Sequence, residues 1–165
     1  EVNEYLQSTT NANIYAAGDA ADSRGLPLTP VAVLEGHVVA SNIIKGNKKK
    51  VSYPPMPSVV FTLPTMATVG LLEDDAKEKG YDINVNFEKV DNWFNARRLN
   101  VDEYAYKTII DKNNNTILGA HLIGPHCEET INLFAMAIKT KMTISDLRTM
   151  IFSYPTMASD LTYML

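Results

Sequence analysis

Tyr104-Ala105-Tyr106-Lys107-Thr108-Ile109-Ile110 and Ile117-Leu118-Gly119-Ala120-His121-Leu122-Ile123 flank the polar break Asp111-Lys112-Asn113-Asn114-Asn115. Two runs rich in β-branched and aromatic residues, joined by an Asn-rich turn, predict an antiparallel hairpin. Working outward, Ile83, Val85 and Phe87 alternate as a half-buried strand should, with Val90 just beyond, and Ser58 to Thr62 reads as a buried strand. Between these strands Glu73 to Lys79 suggests a short helix closed by Gly80, although Leu72 stands where a capping Ser or Thr is preferred. Three helical stretches follow the hairpin. Glu128 and Glu129 favour a helix start, and Ile131, Phe134, Ala135, Ile138 and Met142 continue its apolar stripe. Thr143 with Asp146 forms a capping-box pattern. Tyr154 disfavours helix before Pro155, and Thr156 is placed to cap the last turns. Strands first and helices later define an α+β class: a mainly antiparallel sheet with helices on one side.

Ahead of this domain lies a segment of a different kind. Asn13 to Ala17 reads as a short buried strand broken by Gly18-Asp19. Thr29-Pro30 then opens a helix, Thr as the cap and Pro in the first turn, with Val31, Leu34, Val38 and Ser41 along one face and an end near Lys45-Gly46. A single strand and helix cannot cover each other, so residues 1–45 read as a strand–helix remnant of a larger domain. Residues 46–52, with Lys48-Lys49-Lys50, read as a solvated linker, and residues 53–165 as the second domain.

Composition excludes several function classes. At 165 residues and 45% apolar content the chain can bury a proper core. A net charge of −4 offers no general attraction to nucleic acid or an anionic membrane. No stretch approaches the roughly 18 apolar residues of a membrane span. Cys127 is the single cysteine, so neither an internal disulfide nor a cysteine-rich metal site forms, and no metal is expected. The chain reads as cytoplasmic, and its start at Glu1 rather than Met suggests that it begins partway through a longer polypeptide.

The chemistry-bearing pattern begins at Gly18-Asp19. Glycine permits a sharp turn after a strand, and Asp19 then offers a carboxylate that accepts hydrogen bonds from sugar-type hydroxyls. Ten residues on, the free N–H groups of the helix opened by Thr29-Pro30 suit an electron-rich ligand edge. Asn13 to Ala20, Leu28 to Ala32 and Glu35-Gly36 together resemble the second FAD fingerprint of glutathione reductase-like (class I) pyridine nucleotide–disulfide oxidoreductases. Pro57 to Thr62, Val69-Gly70, Ile117 to His121, Gly124 to Glu129, Thr143 to Leu147 and Tyr154-Pro155-Thr156 resemble that family's dimerisation domain, in order. The resemblance implies that the chain is the dimerisation portion of an FAD-dependent, NADPH- or NADH-using disulfide reductase, a homodimer acting on a small disulfide. Gly18, Asp19 and Thr29 match flavin-contacting positions: Asp19 at the ribityl chain, and the Thr29 backbone N–H at the pyrimidine edge. The chain itself, lacking the redox cysteines and nucleotide-binding fingerprints, is expected to be inactive and to hold no cofactor.

The departure from the family pattern lies near the end. Disulfide reductases of this family usually place a catalytic His where this chain has Tyr154, and a Glu where it has Ser159. A phenol of reference pKa ~10 is a poor base at neutral pH. Tyr154 is therefore the catalytic candidate by position, without the usual acid–base pair, while Asp160 falls one residue late and points elsewhere. Tyr154 and Thr156-Met157 also resemble mercuric reductases, but the paired cysteines those enzymes carry near this end are absent. The alternatives are a mercuric reductase-like parent and a stand-alone, non-catalytic dimerisation module. Cys127 reads as a structural thiol, Arg97-Arg98 as a solvated loop, and the late methionines as adaptable packing.

Overall fold

The computed structural model describes residues 1–165 and divides into two compact units, Glu1–Met56 and Pro57–Leu165. In the first, helix α1 runs Thr29–Lys45 and ends at Gly46 with φ 73°. Leu28, not Thr29, is its N-cap, and no side chain bonds the free amides there; Pro30 supplies the pre-set φ instead. The buried stripe is Val31, Glu35, Val38 and Asn42 rather than the face of Val31, Leu34, Val38 and Ser41 that periodicity suggests. The strand expected over residues 13–17 reduces to one bridge, Gln7 to Tyr15, because this unit offers that stretch no longer ladder to join. The side chains of Lys48 and Lys49 are exposed, while Asn42, 1% exposed, accepts from both their N–H groups and donates to the carbonyls of Lys49 and Tyr5.

The second unit is built on a five-stranded antiparallel sheet in the order β1–β2–β5–β4–β3, comprising β1 (Ser58–Val60), β2 (Met66–Gly70), β3 (Ile83–Lys89), β4 (Ala105–Asp111) and β5 (Thr116–Ile123). The β4–β5 hairpin is its centre, and β2 is a strand that composition hides. Period-2 alternation sorts the side chains. Ala67, Leu122 and Tyr106 share one row, and Val69, Ala120 and Thr108 the next, all buried on the inner face. Helix α4 (Cys127–Thr140) packs on β5 and β2. Its Ile131 and Phe134, each 0% exposed, share one hydrophobic core with Ala67, Val69, Ala120 and Leu122. The chain's last turn joins that core through Leu161 and Met164, and the Thr108 hydroxyl donates to the Met164 carbonyl at 2.6 Å. Phe87 of β3 falls in the opposite row and is 68% exposed, so that strand's apolar residues do not enter the core. Helix α2 (Glu73–Glu78) begins beside this outer face. Both capping residues expected in the late helices act: Thr143 closes a capping box with Asp146 at α5 (Ile144–Thr149), and Thr156 with Ser159 at α6 (Met157–Asp160).

On the outer face, His121 Nε2 lies 3.2 Å from the Leu71 carbonyl and Nδ1 2.6 Å from the Thr68 hydroxyl. A carbonyl only accepts, so Nε2 carries the proton and Nδ1 accepts from Thr68 in the neutral ring. Burial depresses the His121 pKa; the bond to Leu71 opposes this, and nearby Lys107 adds to it. The unfolded chain therefore takes up the proton first as pH falls. Stability present above the reference value of about 6.5 is lost as pH drops from there through the lower folded value. Urea titrations at successive pH values, read by Trp93 fluorescence, should show this loss, and it should be smaller in His121→Gln.

Candidate flavin and redox site

In the first unit the Gly18–Asp19 turn and the start of α1 border one hollow of about 530 Å³, lined by Gly18, Asp19, Thr29 and Ala32 among others. The three residues expected at a flavin, Gly18, Asp19 and Thr29, are thus brought together. Gly18 has φ +66°, and a Cβ there would meet the Ala32 Cβ at 3.0 Å, so glycine lets the turn lie close on the helix. What holds the turn is Glu35, 1% exposed. Its carboxylate accepts from the Gly18 N–H at 2.6 Å, from the Ser23 hydroxyl at 2.7 Å and from the Tyr53 hydroxyl. Burial alone would raise its pKa, but the bonds from Tyr53, Ser23 and Gly18 outweigh burial and hold it below the usual carboxylate range. A charged residue on the buried face of α1 was the available signal in the sequence.

In the second unit Tyr154 is 70% exposed, and its ring stacks on Phe94 with centroids 5.7 Å apart and planes at 30°. The Tyr154–Pro155 peptide is cis. Ser159 is occupied in the α6 cap, donating to the Thr156 carbonyl at 2.5 Å. Asp160 does point elsewhere, into the protein: it is 7% exposed and accepts from Asn95 and Tyr104. Burial raises its pKa against the lowering effect of those two bonds and of Arg98. Asn95 and Phe94 lie on α3 (Phe94–Leu99), which the sequence did not announce. Cys127 is buried and donates to the Thr65 carbonyl at 3.1 Å, and burial pushes its pKa up to about 11. A thiol so held is not a nucleophile at neutral pH. No group of three His, Cys, Asp or Glu side chains assembles to hold a metal ion, and no helix is long and apolar enough to cross a membrane.

An antiparallel sheet backed by helices defines a dimerisation-domain architecture. Residues 56–165 match the pyridine nucleotide-disulphide oxidoreductase dimerisation domain, and the chain belongs to that family. It is 53% identical, over 99% of its length and 91% of the relative's, to an uncharacterized 19.7 kDa protein in a mercuric resistance operon of Staphylococcus aureus. It is 37% identical to the mercuric reductase of Staphylococcus aureus, over 96% of this chain but 28% of that enzyme. Among solved structures, the HOCl-induced flavoprotein disulfide reductase RclA from Escherichia coli superposes with a TM-score of 0.83 at 30% identity, covering 99% of this chain and 37% of that one. The chain therefore spans 28% and 37% of these two enzymes and nearly all of the short relative.

Proposed function

We propose that this chain serves as the dimerisation portion of a cytoplasmic, flavin-dependent NAD(P)H:disulfide oxidoreductase, with residues 1–45 contributing to its FAD site and residues 53–165 to a twofold contact. The observation that carries the reading is the hollow at Gly18, Asp19 and Thr29, whose parts a pure dimerisation module has no need of. The residues fit the group. An exposed Asp19 carboxylate suits the hydroxyls of a ribityl chain, small Gly18 and Ala32 leave room for close approach, and the α1 amino end favours negative charge. FAD, when bound, would pass electrons between a nicotinamide and a disulfide. The chain's own residues hold and orient it: Glu35 fixes the turn, and the turn aims Asp19.

A chimera tests this. Replacing the matching portion of the Staphylococcus aureus mercuric reductase with this chain should yield a dimer that retains FAD, while the chain alone should purify colourless. Asp19→Ala in the chimera is expected to weaken flavin retention by about ten- to a hundredfold, the cost of one charge-assisted hydrogen bond of roughly 1.5–3 kcal/mol. A folded, dimeric chimera without flavin, or one indifferent to Asp19→Ala, would overturn the assignment.

At the other end, Tyr154 is proposed to stand over the partner subunit's redox centre as a hydrogen-bond donor rather than a base. General acid–base help is worth on the order of 10²–10⁴ in rate. Tyr154→His with Ser159→Glu should therefore raise disulfide turnover in the chimera, and Tyr154→Phe should lower activity modestly. Unchanged kinetics in Tyr154→Phe on every accepted substrate would reduce Tyr154 to an interface filler. The Tyr154-Pro155-Thr156-Met157 run and the mercuric reductase relatives support a mercuric reductase-like parent as the alternative to a glutathione-type one. A second reading, an independent dimerising module without chemistry, is favoured by the short relative that this chain matches over 91% of its length.

A further inference from the structure

We infer that α3 is the positioning element of the Tyr154 site, with Asn95 locking the backbone that follows Tyr154 and Phe94 setting the direction of its ring. The inference rests on Tyr154 being the working group of that site.

Asn95 is 0% exposed on a helix of six residues. A buried amide is costly unless every polar atom is satisfied, and here all are. Its Nδ2 donates to the Thr156 carbonyl at 3.0 Å and to Asp160 Oδ1 at 2.9 Å. Its Oδ1 accepts from Arg98 Nη2 at 3.3 Å, and the second Asp160 oxygen accepts from the Tyr104 hydroxyl at 3.1 Å. One side chain thus grips the carbonyl two residues after Tyr154 and a carboxylate one helical turn further on. Tyr104 in turn belongs to the core under the sheet, so the lock is referred to the rigid part of the unit. Networks of this kind fix one arrangement because a half-made version leaves a buried polar atom unpaired.

Core packing does not account for the second contact. Phe94 is 55% exposed and Tyr154 70% exposed, so the stacked pair removes little apolar surface from water. What the stack does is restrict where the phenol points. Asn95 and Phe94 are consecutive, so one short helix holds both the backbone and the ring of the candidate residue. Positioning of this kind matters because a displacement near 1 Å in a reacting group can cost about 10² in rate.

The experiment uses the whole chain labelled with 3-fluorotyrosine, with Tyr154→Phe identifying the Tyr154 line in the fluorine NMR spectrum. Phe94→Leu, a surface change, should move that line toward the position of a free tyrosine with the melting temperature nearly unchanged. Asn95→Asp keeps the shape but removes both donors, and should broaden or move the line. Asp160→Asn preserves an acceptor for Asn95 and should leave it in place. A Tyr154 line unmoved by Phe94→Leu, or unmoved in folded Asn95→Asp, overturns the inference; so does an equal shift in Asp160→Asn. If Asn95→Asp fails to fold, Phe94→Leu decides alone. The readout needs no activity, so it separates from the kinetic test of Tyr154. Moved lines with indifferent Tyr154→Phe kinetics would sink the role of Tyr154 and leave its positioning intact.

Discussion

Gly119→Val is expected to destabilise the second unit by about 3 kcal/mol or more, read as a large fall in its urea midpoint. Gly119 and Gly70 are paired across β5 and β2, and both are backbone crossings rather than spare positions. A Cβ at Gly119 would sit 2.0 Å from the Leu71 carbonyl oxygen, and one at Gly70 would sit 2.2 Å from the Leu118 oxygen. Neither obstacle is the movable end of a side chain, so relief requires shifting the strand itself. Overpacking of ordinary core positions costs about 1–3 kcal/mol, occasionally more. A backbone clash at the sheet's central strand belongs at or beyond the upper end, against a total domain stability of roughly 5–15 kcal/mol. Trp93 packs among Tyr104, Tyr106 and Tyr163, so its fluorescence reports this unit. A urea midpoint for Gly119→Val within error of the parent value would show that the crossing is not as close as described. Gly36, whose added Cβ meets nothing within 4 Å, supplies the control: Gly36→Ala should be tolerated or slightly stabilising.

The same sheet shows what could be read in advance. The hairpin was legible because Asp111 to Asn115 break two long β-branched runs, and local turn chemistry needs no tertiary help. The caps at Thr143 and Thr156 were legible for the same reason, each being a contact three residues long. Strand β2 was not. Met66-Ala67-Thr68-Val69-Gly70 carries weak strand preference, and its identity comes from pairing with β5, about 50 residues away. Helix α3 was missed because six residues cannot hold a helix by propensity alone; Ala96 buried at 0% and the Asn95 lock hold it there. Within the site, Gly18, Asp19 and Thr29 could be listed from a pattern, but the residue that organises them could not. Glu35 entered only through the fingerprint resemblance, and only the fold shows three donors converging on it. Thr29 illustrates the opposite case: the right boundary for a reason that does not operate, since no cap bond forms.

An aspartate at Leu63 or at Ile151 is expected to dissociate the proposed twofold dimer while leaving the single chain's stability unchanged. Leu63 is 101% exposed and Ile151 98%, so within one chain neither side chain packs on anything. Substitutions at such positions usually change stability by no more than about 0.5 kcal/mol. Phe61 at 79% and Met136 at 64% exposed are likewise held out in the single chain, and apolar side chains so exposed are available to an association surface. The dimerisation-domain family match is what supports the proposal that a second copy of the same domain covers these side chains. A twofold contact is isologous, so each substitution enters the interface twice. Removing a buried apolar anchor costs about 2 kcal/mol or more, and burying an unpaired carboxylate adds to that. Two such losses amount to at least ~4 kcal/mol, or roughly a thousandfold in dissociation constant. Sedimentation over a range of micromolar concentrations should therefore show Leu63→Asp or Ile151→Asp sedimenting as a monomer where the parent chain is dimeric. Phe87→Asp controls for charge alone, because Phe87 lies on the outer face of the sheet, in the row of Lys107 and His121, and should leave the dimer intact. If both Leu63→Asp and Ile151→Asp remain dimeric with the parent's affinity, the twofold contact does not use these loops; if Phe87→Asp alone dissociates it, the chain pairs through the outer face of its sheet.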